Sequence, residues 1–216
     1  MTRILVIDDH PIVIQGCQRL FTDVGMRDVL TASSFSDAFR KYRREKPDII
    51  LVDLAINSVT YSGLSFIRRL RVHDQRTAVL VFSMHSDPVI VSRALALGAN
   101  GYILKDAPPH ELLTALQRVR SGSSYISHEL ASSLAFMEAR DKCNPLRSLT
   151  LRELQTLELI AEGRAYNDIA EALGVSYKTV VNTSSLLKNK LGARSLPELM
   201  RIGIRHLPSM TTTKGM

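Results

Sequence analysis

Apolar residues fall into two regimes along the chain. Up to about residue 121, short unbroken apolar runs alternate with stretches whose apolar residues recur every three or four positions. The runs are Ile4 to Ile7, Ile49 to Leu54 with its carboxylate at Asp53, Ala78 to Phe82 and Gly101 to Leu104, and Asp28 to Ala32 reads as a further short strand. Between and after them come helical stripes: Val13, Cys17, Leu20 and Phe21; Phe35, Ala38, Phe39 and Tyr42; Leu64, Ile67 and Leu70; Ile90, Ala94 and Leu97; Leu112, Ala115, Leu116 and Val119. Runs without polar alternation fit strands covered on both faces, so the pattern predicts five β/α units around a parallel sheet.

Ser121-Gly122-Ser123-Ser124 breaks this pattern and predicts a domain edge. A helical segment from about 127 to 140 follows, then a polar stretch, 141–147, that reads as a flexible linker. Beyond it only the helical period remains. Thr150 and Glu153 form a capping box, Gly163 ends the first helix, and Gly174 stops a short one bearing Ile169, Ala170 and Leu173. Ser176 caps a third, ended by Gly192, and Ser195 with Glu198 begins a fourth with Pro197 in its first turn. The expected boundaries are 1–121, a 122–147 linker with a helical segment, 148–207, and a disordered tail at 208–216.

Composition changes this picture little. The 216 residues are 45% hydrophobic and 23% charged, ordinary for a soluble globular protein. No membrane span or secretion signal is visible, and Cys17 and Cys143 show no metal or disulfide spacing, which predicts a cytoplasmic protein with no membrane partner. A net charge of +7 suits an anionic partner only if the charge is suitably placed.

Candidate chemistry lies where the apolar runs end. An open parallel sheet binds its ligands outside the carboxyl ends of its strands, and there the runs deliver Asp8-Asp9, Asp53, Ser83 and Lys105. Each has an ordinary role when taken singly, such as opening a turn or capping a helix. Together they make a site. Three carboxylates on one rim repel unless a hard cation such as Mg²⁺ offsets them. An aspartate can attack phosphorus to give an aspartyl phosphate, Lys105 can act as a point charge on the phosphoryl oxygens, and Ser83 can donate to them. As a charged strand-end residue, Lys105 is expected to bury little surface.

Residues 1–121 resemble a response-regulator receiver domain. Asp8-Asp9 match the acid pair, Asp53 the phosphoacceptor, Ser83 the switch hydroxyl, Tyr102 the switch aromatic and Lys105 the lysine. The resemblance implies a flavodoxin-like doubly wound fold with strand order 2-1-3-4-5. It also implies phosphoryl transfer from a histidine kinase, and Mg²⁺ held by Asp9, Asp53 and the backbone carbonyl of Ala55, with Asp8 beside them. The family's Met-Pro pair after the phosphoacceptor is absent; the chain carries a longer loop, Leu54 to Ser62, before Gly63.

The C-terminal part resembles the LuxR-type helix-turn-helix of the NarL/FixJ class, through Leu149-Thr150-Leu151-Arg152-Glu153, Gly163, Ile169-Ala170, Leu173-Gly174-Val175-Ser176, Lys178-Thr179-Val180 and Lys190-Leu191-Gly192. This implies an all-α DNA-binding domain with a recognition helix over 177–191. From 176 to 205 the bases Lys178, Lys188, Lys190, Arg194, Arg201 and Arg205 face one acid, Glu198, which suits phosphate contacts. Where the class often has Lys and His, this chain has Val181 and Thr183. The expected contacts are Lys178, Thr179, Asn182, Thr183, Ser185, Lys188 and Lys190, with Asn182 the best match to adenine.

The expectation is a cytoplasmic DNA-binding transcriptional regulator of a two-component system, not an enzyme in its own right, acting on double-stranded DNA as a homodimer when phosphorylated or DNA-bound. The rival is a regulator whose receiver is an interaction or dimerisation module working without phosphate.

Overall fold

The computed structural model describes residues 2–56, 61–140 and 145–207. The chain divides into two compact units, residues up to 140 in one and residues from 145 in the other.

The first unit is built on a parallel sheet of β1 (Ile4–Ile7), β2 (Val29–Ala32), β3 (Ile49–Val52), β4 (Ala78–Ser83) and β5 (Gly101–Leu104). Its helices are α1 (Pro11–Asp23), α2 (Phe35–Glu45), α3 (Ser62–Arg71), α4 (Pro88–Ala96) and α5 (Pro109–Arg120). The sheet order is 2-1-3-4-5, as the alternation predicts, extended by a two-residue strand β6 (Tyr125–Ile126) beside β5. The sixth strand corrects the reading of five. Its two residues are too few to show a period, and they lie just past the Ser-Gly-Ser-Ser break.

β1 and β3 are buried along their whole length, which explains their unbroken apolar character. One sheet face, with Ile4, Val6, Ile49, Leu51, Leu80 and Ile103, packs against Cys17 and Phe21 of α1 and Leu112, Ala115, Leu116 and Val119 of α5. Each buried Ile, Leu, Val or Phe among them contributes roughly 1.5–3 kcal/mol. The alternate strand residues turn to the other face, where α2 meets β1 and α4 meets β5. β1 and β3 pair side by side, so their C-terminal ends meet at one rim. Helix α6 (His128–Arg140) also belongs to this unit and packs on α4. Residues 141–144 of the expected linker and the 208–216 tail lie outside the described residues, and Pro145–Ser148 form a 3₁₀ turn.

The second unit contains α7 (Leu151–Ala161), α8 (Tyr166–Leu173), α9 (Tyr177–Leu191) and α10 (Leu196–His206). The Thr150 hydroxyl accepts from Glu153 N–H while the Glu153 carboxylate accepts from Thr150 N–H, completing the expected capping box. Gly174 and Gly192 cap α8 and α9 in the left-handed conformation. Gly203 lets α10 close on α7, since a Cβ there would lie 2.8 Å from the Ala161 side chain.

Candidate functional site

The carboxyl ends of β1, β3, β4 and β5 bring the predicted acids, hydroxyl and lysine to one rim. Asp8 and Asp53 are almost fully buried. Lys105 reaches between them, its Nζ 2.7 Å from Asp8 Oδ2 and 2.8 Å from Asp53 Oδ2. Only 8% of the Lys105 side chain is exposed, against the expectation of an outlying charge. It leaves the sheet beside β4, its N–H bonded to Ser83 O, and its stem runs inward to the carboxylates.

The electrostatics follow from that burial. Desolvation raises the Asp53 carboxyl above its ordinary value, and the Lys105 charge offsets only part of this. Burial alone would push the Lys105 ammonium down, but Asp53 and Asp8 outweigh it and hold the amine charged. Asp53 is further fixed by its own loop: Leu54 N–H donates to Oδ1 at 2.7 Å, and Ala55 N–H reaches the same carboxylate.

Asp8, Asp9, His10 and Asp53 each offer a ligand atom, all within 4.8 Å of one another. The oxygen-rich donor set fits a hard divalent cation, with Ala55 on the same loop. His10 was not foreseen. Its Nδ1 lies 3.1 Å from both Asp8 Oδ1 and Asp9 Oδ1, bridging the acid pair from the solvent side. Its only sequence signal is adjacency, Asp8-Asp9-His10.

Gly63, which follows the long loop in sequence, has a steric reason to be glycine. A Cβ there would sit 2.4 Å from the Asp53 carbonyl oxygen and 2.8 Å from Leu54 Cα, so only glycine lets α3 start against the Asp53 loop. Asn57–Thr60, in the loop that lacks the Met-Pro pair, lie outside the described residues. Just beyond them Tyr61 is buried with φ of 57°, an uncommon conformation for a side-chain-bearing residue.

Ser83 is fully buried at the end of β4, and its Oγ accepts a long hydrogen bond from His85 N–H at 3.4 Å. Tyr102 is buried on β5 and donates from its hydroxyl to His85 O at 2.6 Å, while burial pushes its phenol pKa up. The segment after Ser83 is thus tied to the Tyr102 side chain. The His85 ring in turn lies 5.1 Å from the Tyr61 ring. Neither His85 nor Tyr61 stood out in sequence, because only the fold brings them together.

In the second unit α8, the turn at 174–176 and α9 form a helix-turn-helix. Val180, Ser184 and Leu187 face inward, and the Tyr166 and Ser184 hydroxyls lie 2.6 Å apart across α8 and α9. Ser176 caps α9 through Thr179 N–H, and the Thr179 hydroxyl bonds to the same side chain. Lys178, Asn182 and Ser185 lie exposed on one stripe at helical spacing, joined by Asn189, which the sequence reading missed. The Thr183 and Ser185 hydroxyls donate back to the carbonyls of Thr179 and Val181, leaving their lone pairs for a ligand. Lys188 is half-buried. Lys190 pairs with Glu153 at 2.9 Å, so part of its charge is spent within the domain.

A doubly wound receiver with this rim, joined to a helix-turn-helix unit, defines a response regulator by architecture. The comparisons agree. Residues 4–117 match the response regulator receiver domain model, and residues 147–202 match that of the LuxR family of bacterial regulatory proteins. The methanol utilization control regulatory protein MoxX of Paracoccus denitrificans is 41% identical over 94% of this chain and 92% of its own length. Response regulator UvrY of Escherichia coli is 31% identical over 95% of each chain. Among solved structures, RcsB of Salmonella typhimurium aligns with a TM-score of 0.70 at 24% identity, covering 93% of this chain and 96% of its own. A structure of two RcsB dimers bound to two parallel DNAs aligns at 0.60 and 23%, covering 93% and 97%, and shares the fold. The chain belongs to the response regulators that couple a receiver domain to a LuxR-type DNA-binding domain. Among the described residues no helix is long and apolar enough to cross a membrane.

Proposed function

We propose that Asp53 is the phosphoacceptor and that its phosphorylation controls binding of double-stranded DNA by the second unit. The observation that carries this reading is the Lys105 ammonium held between Asp53 and Asp8 at adjoining strand ends. An Asp53 carboxylate oxygen attacks phosphorus of a phosphohistidine on a histidine kinase. The O–P bond forms as the N–P bond breaks, and the imidazole leaves with the electron pair. Lys105 then turns from the Asp53 carboxylate to the phosphoryl oxygens, and Ser83 donates its hydroxyl to one of them. Asp8, Asp9, Asp53 and the Ala55 carbonyl would hold Mg²⁺, which offsets the negative charge gathering at the rim. Engaging Ser83 draws on the segment that Tyr102 holds through His85 O. That couples the site to the α4–β5 side of the unit and favours a homodimer suited to a two-fold operator.

In the second unit, α9 enters the major groove. Asn182 offers a bidentate pair to adenine, Thr179, Thr183 and Ser185 offer hydroxyls, and Lys178, Lys188 and Lys190 lie near phosphates. The test is labelling with a small phosphodonor and Mg²⁺, followed by gel shift on duplex DNA. Wild-type protein should take up one hydroxylamine-labile phosphoryl group and bind DNA more tightly; Asp53→Asn should do neither. Full labelling of Asp53→Asn overturns the assignment, and equal DNA binding by both proteins favours the phosphate-independent interaction module.

A further inference from the structure

A second concentration of positive charge lies away from the DNA-reading helix. Residues 35–46 and 62–70, which cover α2 and most of α3, hold seven basic side chains and two acidic ones, against a net charge of +7 for the whole chain. The two acids are already engaged. Asp37 pairs with Arg40 and Lys41, and Glu45 with Arg44 and Arg3. Among the described residues neither Arg43 nor Arg69 has a carboxylate within ion-pair distance, and both are exposed. A merely solvated helix face would alternate its charges; this one does not.

The same surface is concave. Arg40, Arg43 and Arg44 of α2 and Arg69 of α3 rim a groove of about 720 Å³ whose floor includes Phe35 and Phe39. Both rings are backed by the buried Phe66, at 5.4 Å from Phe35 and 4.6 Å from Phe39 between centroids. The Arg69 guanidinium lies 5.0 Å from the Phe39 ring centroid, and both residues line the groove. Guanidinium groups bind phosphate bidentately, and phenyl and guanidinium faces stack on planar rings.

We infer that the α2–α3 groove binds a nucleotide, its phosphates among Arg40, Arg43 and Arg44 and its base against Phe39 and Arg69. A duplex backbone would use the charge but not the aromatic floor. The site is separate from the Asp53 rim and does not depend on phosphorylation there.

Full-length protein titrated into N-methylanthraniloyl GTP and ATP, read by fluorescence anisotropy, tests this. Saturable binding is expected, weakened about tenfold or more by Arg43→Glu, as loss of a charge-assisted hydrogen bond predicts, and weakened also by Arg69→Glu through loss of the stacking plane. Phe39→Leu, which keeps the apolar volume, should weaken the nucleotide while leaving competition by pyrophosphate unchanged; circular-dichroism melting confirms that each variant is folded. Absence of saturable binding overturns the inference. So does pyrophosphate competing as well as GTP with no effect of Phe39→Leu, which would mean an anion patch. Binding lost in Lys178→Ala but kept in Arg43→Glu would move the ligand to the DNA-binding domain. A labelled single-stranded oligonucleotide that binds through Arg43 and Arg69 when mononucleotides do not would replace the nucleotide with a polymer, and also overturns it.

Discussion

Lys105 is the side chain on which the rim's charge balance turns. Two nearly buried carboxylates within 2.8 Å of one ammonium form a three-charge cluster, and removing the cation leaves both acids uncompensated. Lys105→Ala should therefore cost roughly 3 kcal/mol in urea unfolding without divalent ions, and Mg²⁺ should restore more stability to the variant than to wild type. Equal stabilisation of both by Mg²⁺ would show that the cation does not meet those carboxylates. His85 makes a second, independent case. Its Nε2 is buried with no hydrogen-bond partner among the described residues, and burial, with a lesser push from Lys105, lowers its pKa to about 4. A histidine depressed in the folded state binds fewer protons there than in the unfolded chain, so stability falls as pH drops from about 6.5 towards 4. The part due to His85 should reach about 2 kcal/mol at pH 5, and His85→Gln should remove that much of the difference between unfolding at pH 7 and pH 5. An unchanged difference would mean that His85 takes up its proton alike in the folded and unfolded chain. The acids, Ser83 and Lys105 were legible in the sequence because strand ends are marked by where apolar runs stop. Tyr61 and His85 were not, since their partners come from contacts that no period encodes, and His10 was marked only by its place beside the acid pair.

At the scale of elements, caps and periods carried most of the information. The capping box at Thr150 and the glycine stops at Gly174 and Gly192 stand where their chemistry puts them, because a cap is satisfied within a few residues of itself. Helix α9 is the element whose function depends most on orientation. With Val180, Ser184 and Leu187 turned inward, Asn182 is held outward, so Asn182→Ala should cost about 1–3 kcal/mol on a preferred duplex and little on random DNA. Lys178→Ala should weaken both duplexes alike and lower the salt slope by roughly one unit. Lys190→Ala should lower the slope less and reduce thermal stability instead, because it releases Glu153 from its ion pair. Matched salt titrations of the three variants separate these outcomes; equal losses for Asn182→Ala on both duplexes would mean that α9 is not turned this way.

For the molecule as a whole, the first compact unit runs on past the serine-glycine break to residue 140. β6 and α6 are its last two elements, and the serine-glycine break at 121–124 lies inside it. Tyr125 N–H donates to Asn100 O, and Gly101 is held so close to Tyr125 O that a Cβ would lie 2.7 Å from it. A break in composition marks a turn as readily as a border, and only the pairing distinguishes them. This short strand also bears on aggregation. In a fragment that ends at residue 121, the outer backbone groups of Gly101 and Tyr102 would lose their β6 partners and leave the β5 edge open to pair with another molecule. Such a fragment should self-associate in sedimentation velocity as its concentration rises, while one ending at residue 140 stays monomeric under the same conditions without a phosphodonor. Two residues of strand then act as a guard against fibre-like stacking, and shortening the receiver at its compositional seam removes that guard.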